Sequence, residues 1–245
     1  MPSIDRNLRR MKAEGQKITA LTAYDYPFAQ IVAASGADLI LVGDTLGPML
    51  LGHRSIADTT TAEMVHHGRA VVRGAGNTPV VVDLPDGSYE GSSEEALATA
   101  GAVLSGTGAD AVKIEGGLAV VRQVQAISRR GWPVFGHLTA AHGKSQDLAE
   151  AAVALEEAGA SAIVLVGLQD EEACRVTAAL SSVPSIGFRS GPGCDGQIYV
   201  TPLLLGLVPG NDPKPGPYMN LAADLKGVFS TFVADVREGR FPPQA

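Results

Sequence analysis

The stretch that decides the fold runs from Gly36 to Gly47 and reads "GADLILVGDTLG". A glycine leads an apolar run, the run climbs to one carboxylate, Asp44, and the chain then breaks into glycine and threonine. The device recurs. "TPVVVDLPD" ends its apolar run on Asp83, and "GADAVKIEGG" carries Lys113 and Glu115 where its run stops. "GASAIVLVG" opens the same way at Gly159 but ends on Val166 and Gly167. Glycine ahead of each run suits the left-handed position just past a helix. Continuous apolar runs of this length fit strands buried on both faces, as in a parallel sheet.

Further strands lie outward from this core. Proline introduces three of the runs, with Pro79 before "VVVDL", Pro133 before "VFGHL" and Pro184 before "SIGF". "KITALTAYD" makes a first strand, and an eighth is expected within "GQIYVTPLLLGLV". The intervening stretches are helical. Thr60 with Glu63, and Ser92 with Glu95, have capping-box spacing. "EEALATAGAVLSG" and "LAEAAVALEEAG" are rich in alanine and leucine, good helix formers. Such units predict a (β/α)8 TIM barrel, with a doubly wound sheet as the other arrangement. No linker divides residues 1–245, so one barrel domain with a C-terminal helix is expected. "VPGNDPKPGPY", around Pro209–Tyr218, reads as the loop before that helix.

Composition narrows the function. The chain has 245 residues, 45% hydrophobic and 18% charged, with net charge −7. That supports a sizeable core, and the absence of a basic run excludes nucleic acid and anionic membrane as natural partners. The N-terminal "MPSIDRNLRRMKAEGQK" lacks the apolar segment of a secretory signal, and no apolar run reaches the ~18 residues of a membrane span. A cytoplasmic protein is expected. Cys174 and Cys194 are too few for a disulfide framework and lack metal-type spacing.

In a β/α barrel the C-terminal strand ends form the active-site face. Collected there are Thr22–Asp25, Asp44 and Thr45, Asp83, Lys113 and Glu115, His137, Val166 and Gly167, and Arg189 with Ser190. Unpaired carboxylates gathered on one face would take up protons. A divalent cation resolves this, and two carboxylates plus waters and substrate oxygens suit Mg²⁺. The plainer reading is that Asp44 and Asp83 each cap a following helix. Lys113 could stabilise an oxyanion or pair with Glu115. His137 could contact substrate or serve the barrel alone. His66, His67 and His142 read as structural, and His53 is left open.

"ITALTAYDYPFA", "LVGDTLG", "VVVDLP", "VKIEGG" and "PVFGHL", in that order, resemble the ketopantoate hydroxymethyltransferase family. The likeness continues through "DGQI" at Asp195–Ile198, "PK" at Pro213–Lys214 and "GRFP" at Gly239–Pro242. It implies a barrel of the phosphoenolpyruvate mutase/isocitrate lyase type and a large homo-oligomer. It implies one-carbon transfer from 5,10-methylenetetrahydrofolate to a small-molecule 2-oxo acid, on the pantothenate pathway. The implied metal is Mg²⁺, with Asp44 and Asp83 as ligands and Glu115 by its water shell. Thr45 falls where the family has a substrate-binding serine, Lys113 beside the oxo-acid carboxylate, and His137 beside the substrate. A metal chelating the keto and carboxylate oxygens would acidify the C3 proton and stabilise the enolate.

Four departures qualify the likeness. The family's basic glutamate on strand six is matched by Val166. "GHLTAAHGKSQDLAE" runs almost directly into a helix where the family has a long glycine-rich lid. "DLPD" puts Asp86 where the family has an aromatic. "GFRSGPG" replaces the family's glycine and alanine rich "GIGAG", so Arg189 appears on strand seven. Asp86 could act as a new catalytic base and Arg189 as a carboxylate clamp, or the two could form a salt bridge or face solvent. The expected activity is therefore a divergent hydroxymethyl transfer. A folate-independent aldolase or lyase, and a non-catalytic relative, are the alternatives.

Overall fold

The structure is a computed structural model that describes residues 3–144, 147–208 and 218–242. It forms two compact units, Met1–Ile198 and Tyr199–Ala245. A helix, α1 (Ser3–Ala13), precedes the strands β1 (Ile18–Thr22), β2 (Leu39–Val42), β3 (Val80–Asp83) and β4 (Ala111–Glu115). They are followed by β5 (Val134–Thr139), β6 (Ala162–Val166), β7 (Ser185–Phe188) and β8 (Gly196–Tyr199). The eight form a closed barrel in chain order, and the neighbour pairs from β1–β2 to β7–β8 are parallel. The doubly wound alternative is thereby excluded, and the eighth strand lies in the stretch expected for it.

Helices α2 (Tyr26–Ala34), α3 (Thr61–Gly74), α4 (Ser93–Thr107), α5 (Val121–Arg129), α6 (Leu148–Glu157) and α7 (Asp170–Ala179) alternate with β1 to β7. β7 and β8 are joined without a helix. The glycines read as helix stops do this work: Gly36, Gly108 and Gly159 have φ of +83°, +79° and +97°. Thr60 and Glu63 form the expected reciprocal box at the start of α3. At α4 only half of the box forms. Ser92 accepts the Glu95 N–H, but the Glu95 carboxylate reaches back to the Gly91 N–H instead.

Strand pleating sorts the residues into two layers inside the barrel. The lower layer is apolar and includes Ala20, Leu39, Val81, Ala111, Phe135, Val164, Ile186 and Ile198. Two residues further along each strand, side chains return to the same face. The next layer is therefore Thr22, Leu41, Asp83, Lys113, His137, Val166 and Phe188. The barrel mouth is polar from β3 to β5 and apolar at β6 and β7. Leu41, Val166 and Phe188 pack onto the lower layer.

The second unit contains α8 (Thr201–Leu204) and α9 (Leu221–Arg237). No residue of α9 is buried, and Val228, Phe229, Phe232 and Val233 are exposed along it. The loop read around Pro209–Tyr218, including the Pro213–Lys214 motif, lies outside the described residues except for Tyr218. No helix among the described residues is long and apolar enough to cross a membrane.

Candidate active site

Asp83 closes β3 in register with Lys113 on β4. Its Oδ2 accepts the Asp44 backbone N–H at 3.1 Å and lies 3.2 Å from Lys113 Nζ. The two side chains are only 4% and 7% exposed. Asp83 Oδ1 is buried with no hydrogen-bond partner. Burial pushes the Asp83 carboxyl up to about 7, against the pull of Lys113, and burial raises Asp44 as well. Burial works to lower the Lys113 ammonium, but Asp83, Asp44 and Glu115 outweigh it and hold the group above its ordinary value. The lysine is thus charged, and its partner is Asp83 rather than the Glu115 that sequence proximity suggested.

Neither aspartate caps a helix. Thr60 caps α3 and Ser92 caps α4, both well downstream of the strand ends. A buried carboxylate, Asp83, and a half-buried one, Asp44, lie in the field of one lysine, and Asp83 Oδ1 has no partner. That donor set fits a hard cation taking oxygen ligands. Among the described residues no three His, Cys, Asp or Glu side chains gather closely enough to hold an ion. The fit is therefore to a cation that accepts two protein carboxylates and completes its shell with water or substrate oxygens, as Mg²⁺ does.

Thr45 stands beside this pair. Its Oγ1 lies 2.9 Å from the Tyr24 hydroxyl. Burial pushes the Tyr24 phenol up to about 12, so it stays protonated and can donate to Thr45. Gly43 keeps the space open. A Cβ there would come within 3.0 Å of Thr45 Oγ1 and 3.6 Å of Asp83 Oδ2.

Glu115, at the end of β4, is turned toward histidines. Its Oε2 lies 3.0 Å from His137 Nδ1 and its Oε1 3.8 Å from His142 Nε2. Burial opposes ionisation of Glu115, but the hydrogen bond from His137 and the nearby cations hold its pKa down at about 2. Burial, then the charge of Lys113, push His137 below the ordinary histidine value. His137 Nε2 is buried with no hydrogen-bond partner. His142 sits in a 3₁₀ turn, His142–Lys144, directly after β5. The Thr139 N–H donates to its Nδ1 at 3.1 Å, which leaves Nε2 toward Glu115. Sequence reading set His142 aside as structural. The only signal for it was its position three residues past a strand end.

The remaining expected residues lie at the rim. Asp86 is exposed in the turn after β3, its pKa raised by partial burial and by Glu115 and Glu90. Arg189 follows β7 with its guanidinium carbon 4.8 Å from the centroid of the Phe188 ring. It is the one non-glycine residue with positive φ, +53°, among the described residues. Val166 ends β6 in register with Thr139 and Phe188, so the expected base position is an apolar wall. Gln169 caps α7 and Asp170 begins it, so both belong to that helix. His53 pairs with Glu63 at 2.9 Å, and His67 Nδ1 lies 2.6 Å from the Tyr24 carbonyl.

Residues 4–244 match the profile of the family described as ketopantoate hydroxymethyltransferase. The chain belongs to the ketopantoate hydroxymethyltransferase family. The curated 3-methyl-2-oxobutanoate hydroxymethyltransferase of Moorella thermoacetica is 42% identical over 254 residues, covering 97% of this chain and 94% of the relative. That of Deinococcus radiodurans is 43% identical over 250 residues, covering 95% and 88%. The family's members are transferases, and so is this chain. Among solved structures, phosphonopyruvate hydrolase in complex with oxalate and Mg²⁺ superposes with TM-score 0.69 at 16% identity, covering 98% of this chain and 88% of that one. 2,3-Dimethylmalate lyase, of the phosphoenolpyruvate mutase/isocitrate lyase superfamily, gives 0.65 at 18%, covering 97% and 99%. These likenesses fix the barrel type. The lyase resemblance is one of fold, and the full-length family match does not favour the aldolase or lyase alternative.

Proposed function

We propose that this protein is a 3-methyl-2-oxobutanoate hydroxymethyltransferase that enolises its 2-oxo acid and transfers a one-carbon unit from 5,10-methylenetetrahydrofolate, within pantothenate synthesis. The observation that carries the reading is the Asp44–Asp83 pair with its unclaimed oxygen, set beside charged Lys113 at the barrel mouth of a family member. Asp44 and Asp83 would hold Mg²⁺, with Glu115 behind its water shell. When bound, the ion would polarise the keto oxygen and make the neighbouring C–H more acidic.

The chain's own residues supply the rest. Lys113 presents a buried cation to the substrate carboxylate and to negative charge developing on the oxo acid. Thr45, with Tyr24 donating to its oxygen, is left with its own O–H to give to a substrate oxygen. Val166 and Phe188 form the apolar wall against the branched alkyl group and exclude water there. Arg189 at the rim would bind an anionic group of either substrate. His137 and Asp86 are the two side chains of the mouth that could accept a proton in place of the absent glutamate.

A homo-oligomer is part of the same proposal, supported by the exposed apolar stripe of α9, and so is a cytoplasmic location. The test is proton NMR of 3-methyl-2-oxobutanoate with the protein and Mg²⁺ in D₂O, then with methylenetetrahydrofolate added. Loss of the C3 proton signal followed by ketopantoate formation is expected. Absence of both would sink the reading.

A further inference from the structure

The wall at Val166 leaves the reaction without the base expected on β6, while the neighbouring strand β5 holds an imidazole with an unused nitrogen. His137 ends up there because Phe135, two residues earlier on β5, belongs to the lower interior layer. Its Nδ1 lies 3.0 Å from Glu115 Oε2 and 3.2 Å from Lys113 Nζ. One nitrogen cannot donate to the carboxylate and accept from the ammonium at once. Lys113 is already engaged by Asp83, and the carboxylate contact is the shorter. Nδ1 therefore carries the proton and donates to Glu115. Nε2 is then the lone-pair nitrogen, and it is the buried atom without a partner. The other Glu115 oxygen faces His142 Nε2 at 3.8 Å.

We infer that His137 Nε2 is the proton acceptor of this enzyme, oriented by Glu115, and that it takes over the task of the carboxylate missing at position 166. The inference rests on the enolising function proposed above. In the step, the C3–H bond of the 2-oxo acid breaks, its electron pair becomes the C2–C3 π bond, and the C2=O π pair moves onto the keto oxygen to give the enolate. The proton forms an N–H bond at Nε2. The imidazolium keeps its Nδ1–H on Glu115, whose negative charge balances the new positive charge. Return of the proton to solvent resets the ring. Glu115 is a positioning residue that fixes the tautomer, as a buried carboxylate does for a histidine base.

Two measurements test this. The first is C3 proton exchange in D₂O with Mg²⁺, comparing wild type with His137→Asn. A positioned general base is worth about 10²–10⁴-fold, so the variant should lose at least about a hundredfold. Exchange at the wild-type rate in folded His137→Asn would overturn the role of His137 while leaving the enolising function standing. A wild type that exchanges nothing overturns both. The second is the histidine ¹⁵N spectrum of the metal-free protein, which does not depend on turnover and whose wild-type arm needs no variant. A protonated Nδ1 with a bare Nε2 on His137, shifting toward the other tautomer in Glu115→Gln, is the expected result. An Nε2–H tautomer in the wild type overturns the proposal.

Discussion

Asp83 Oδ2 and Lys113 Nζ lie 3.2 Å apart, side by side on adjacent strands, with both side chains almost wholly buried. A buried charge pair of this kind adds little over an apolar pair, but breaking it strands one charge in the interior. Lys113→Met would leave Asp83 beside Asp44 with no cation. The metal-free variant should lose roughly 3–5 kcal/mol of stability, read as a lowered midpoint in urea with the slope unchanged. Asp83→Asn/Lys113→Met together should recover much of that loss. A single variant as stable as wild type would contradict the pairing.

Asp83→Asn alone keeps the volume and removes a negative charge. It should weaken Mg²⁺ binding by roughly tenfold or more, since a hard cation depends on carboxylate oxygens. Isothermal titration with MgCl₂, without substrate, reads this directly. Unchanged affinity would remove Asp83 from the ligand set.

Much of this was legible in the strand ends. A parallel barrel buries both faces of its strands, so a polar residue closing an apolar run has few destinations besides the mouth. Asp44, Asp83, Lys113 and His137 were found that way. The partners were not. Lys113 and Glu115 are two apart on one strand, about 6.6 Å, while neighbouring strands are about 4.8 Å apart. The barrel register, which no local pattern states, therefore gives Lys113 to Asp83 and Glu115 to His137. His142 read as structural because a 3₁₀ turn, not a strand or helix period, delivers it toward Glu115. The Ser92–Glu95 box half failed because spacing does not say which N–H a glutamate will choose.

Arg189 holds φ at +53°, where a Cβ costs roughly 1–2 kcal/mol. Glycine carries no such cost. Arg189→Gly should therefore stabilise the protein by about 1 kcal/mol, or about 2–4 °C in melting temperature for a chain of this size. The same change should raise KM for an anionic substrate with little effect on kcat. A variant that melts earlier would show that Arg189 is not strained, and one that binds substrate equally well would show that it is not a clamp.

Glu156 offers a pH test away from the mouth. Its carboxylate accepts the backbone N–H groups of Ser181, Ser182 and Val183 at 2.8–2.9 Å, pinning the turn before β7. Partial burial works to raise its pKa, but these hydrogen bonds win and hold it at about 2, against an ordinary 4.5. A depressed carboxyl contributes its stability fully above the unfolded value and loses it as pH falls toward the folded one. The contribution should fade between pH 4.5 and about 2. Urea midpoints for wild type and Glu156→Gln should therefore differ at pH 6 and converge in that window. A gap independent of pH would mean that the carboxylate charge is not what holds the turn.

Val166→Glu asks whether position 166 still faces the chemistry. Val166 is paired with Thr139 and Phe188 and packs on the lower layer, so a carboxylate there loses apolar contact. A cost of about 1–3 kcal/mol is expected in the free protein. The same carboxylate would stand on the strand next to that of His137, in the same layer of the mouth, where an acceptor for the C3 proton is wanted. In the His137→Asn background, Val166→Glu should restore proton exchange that Val166→Gln does not, because glutamine has the size of glutamate without its basicity. Restoration by both variants would point to a change of shape rather than of base. Restoration by neither, with substrate still bound, would mean that residue 166 no longer points at the reacting carbon.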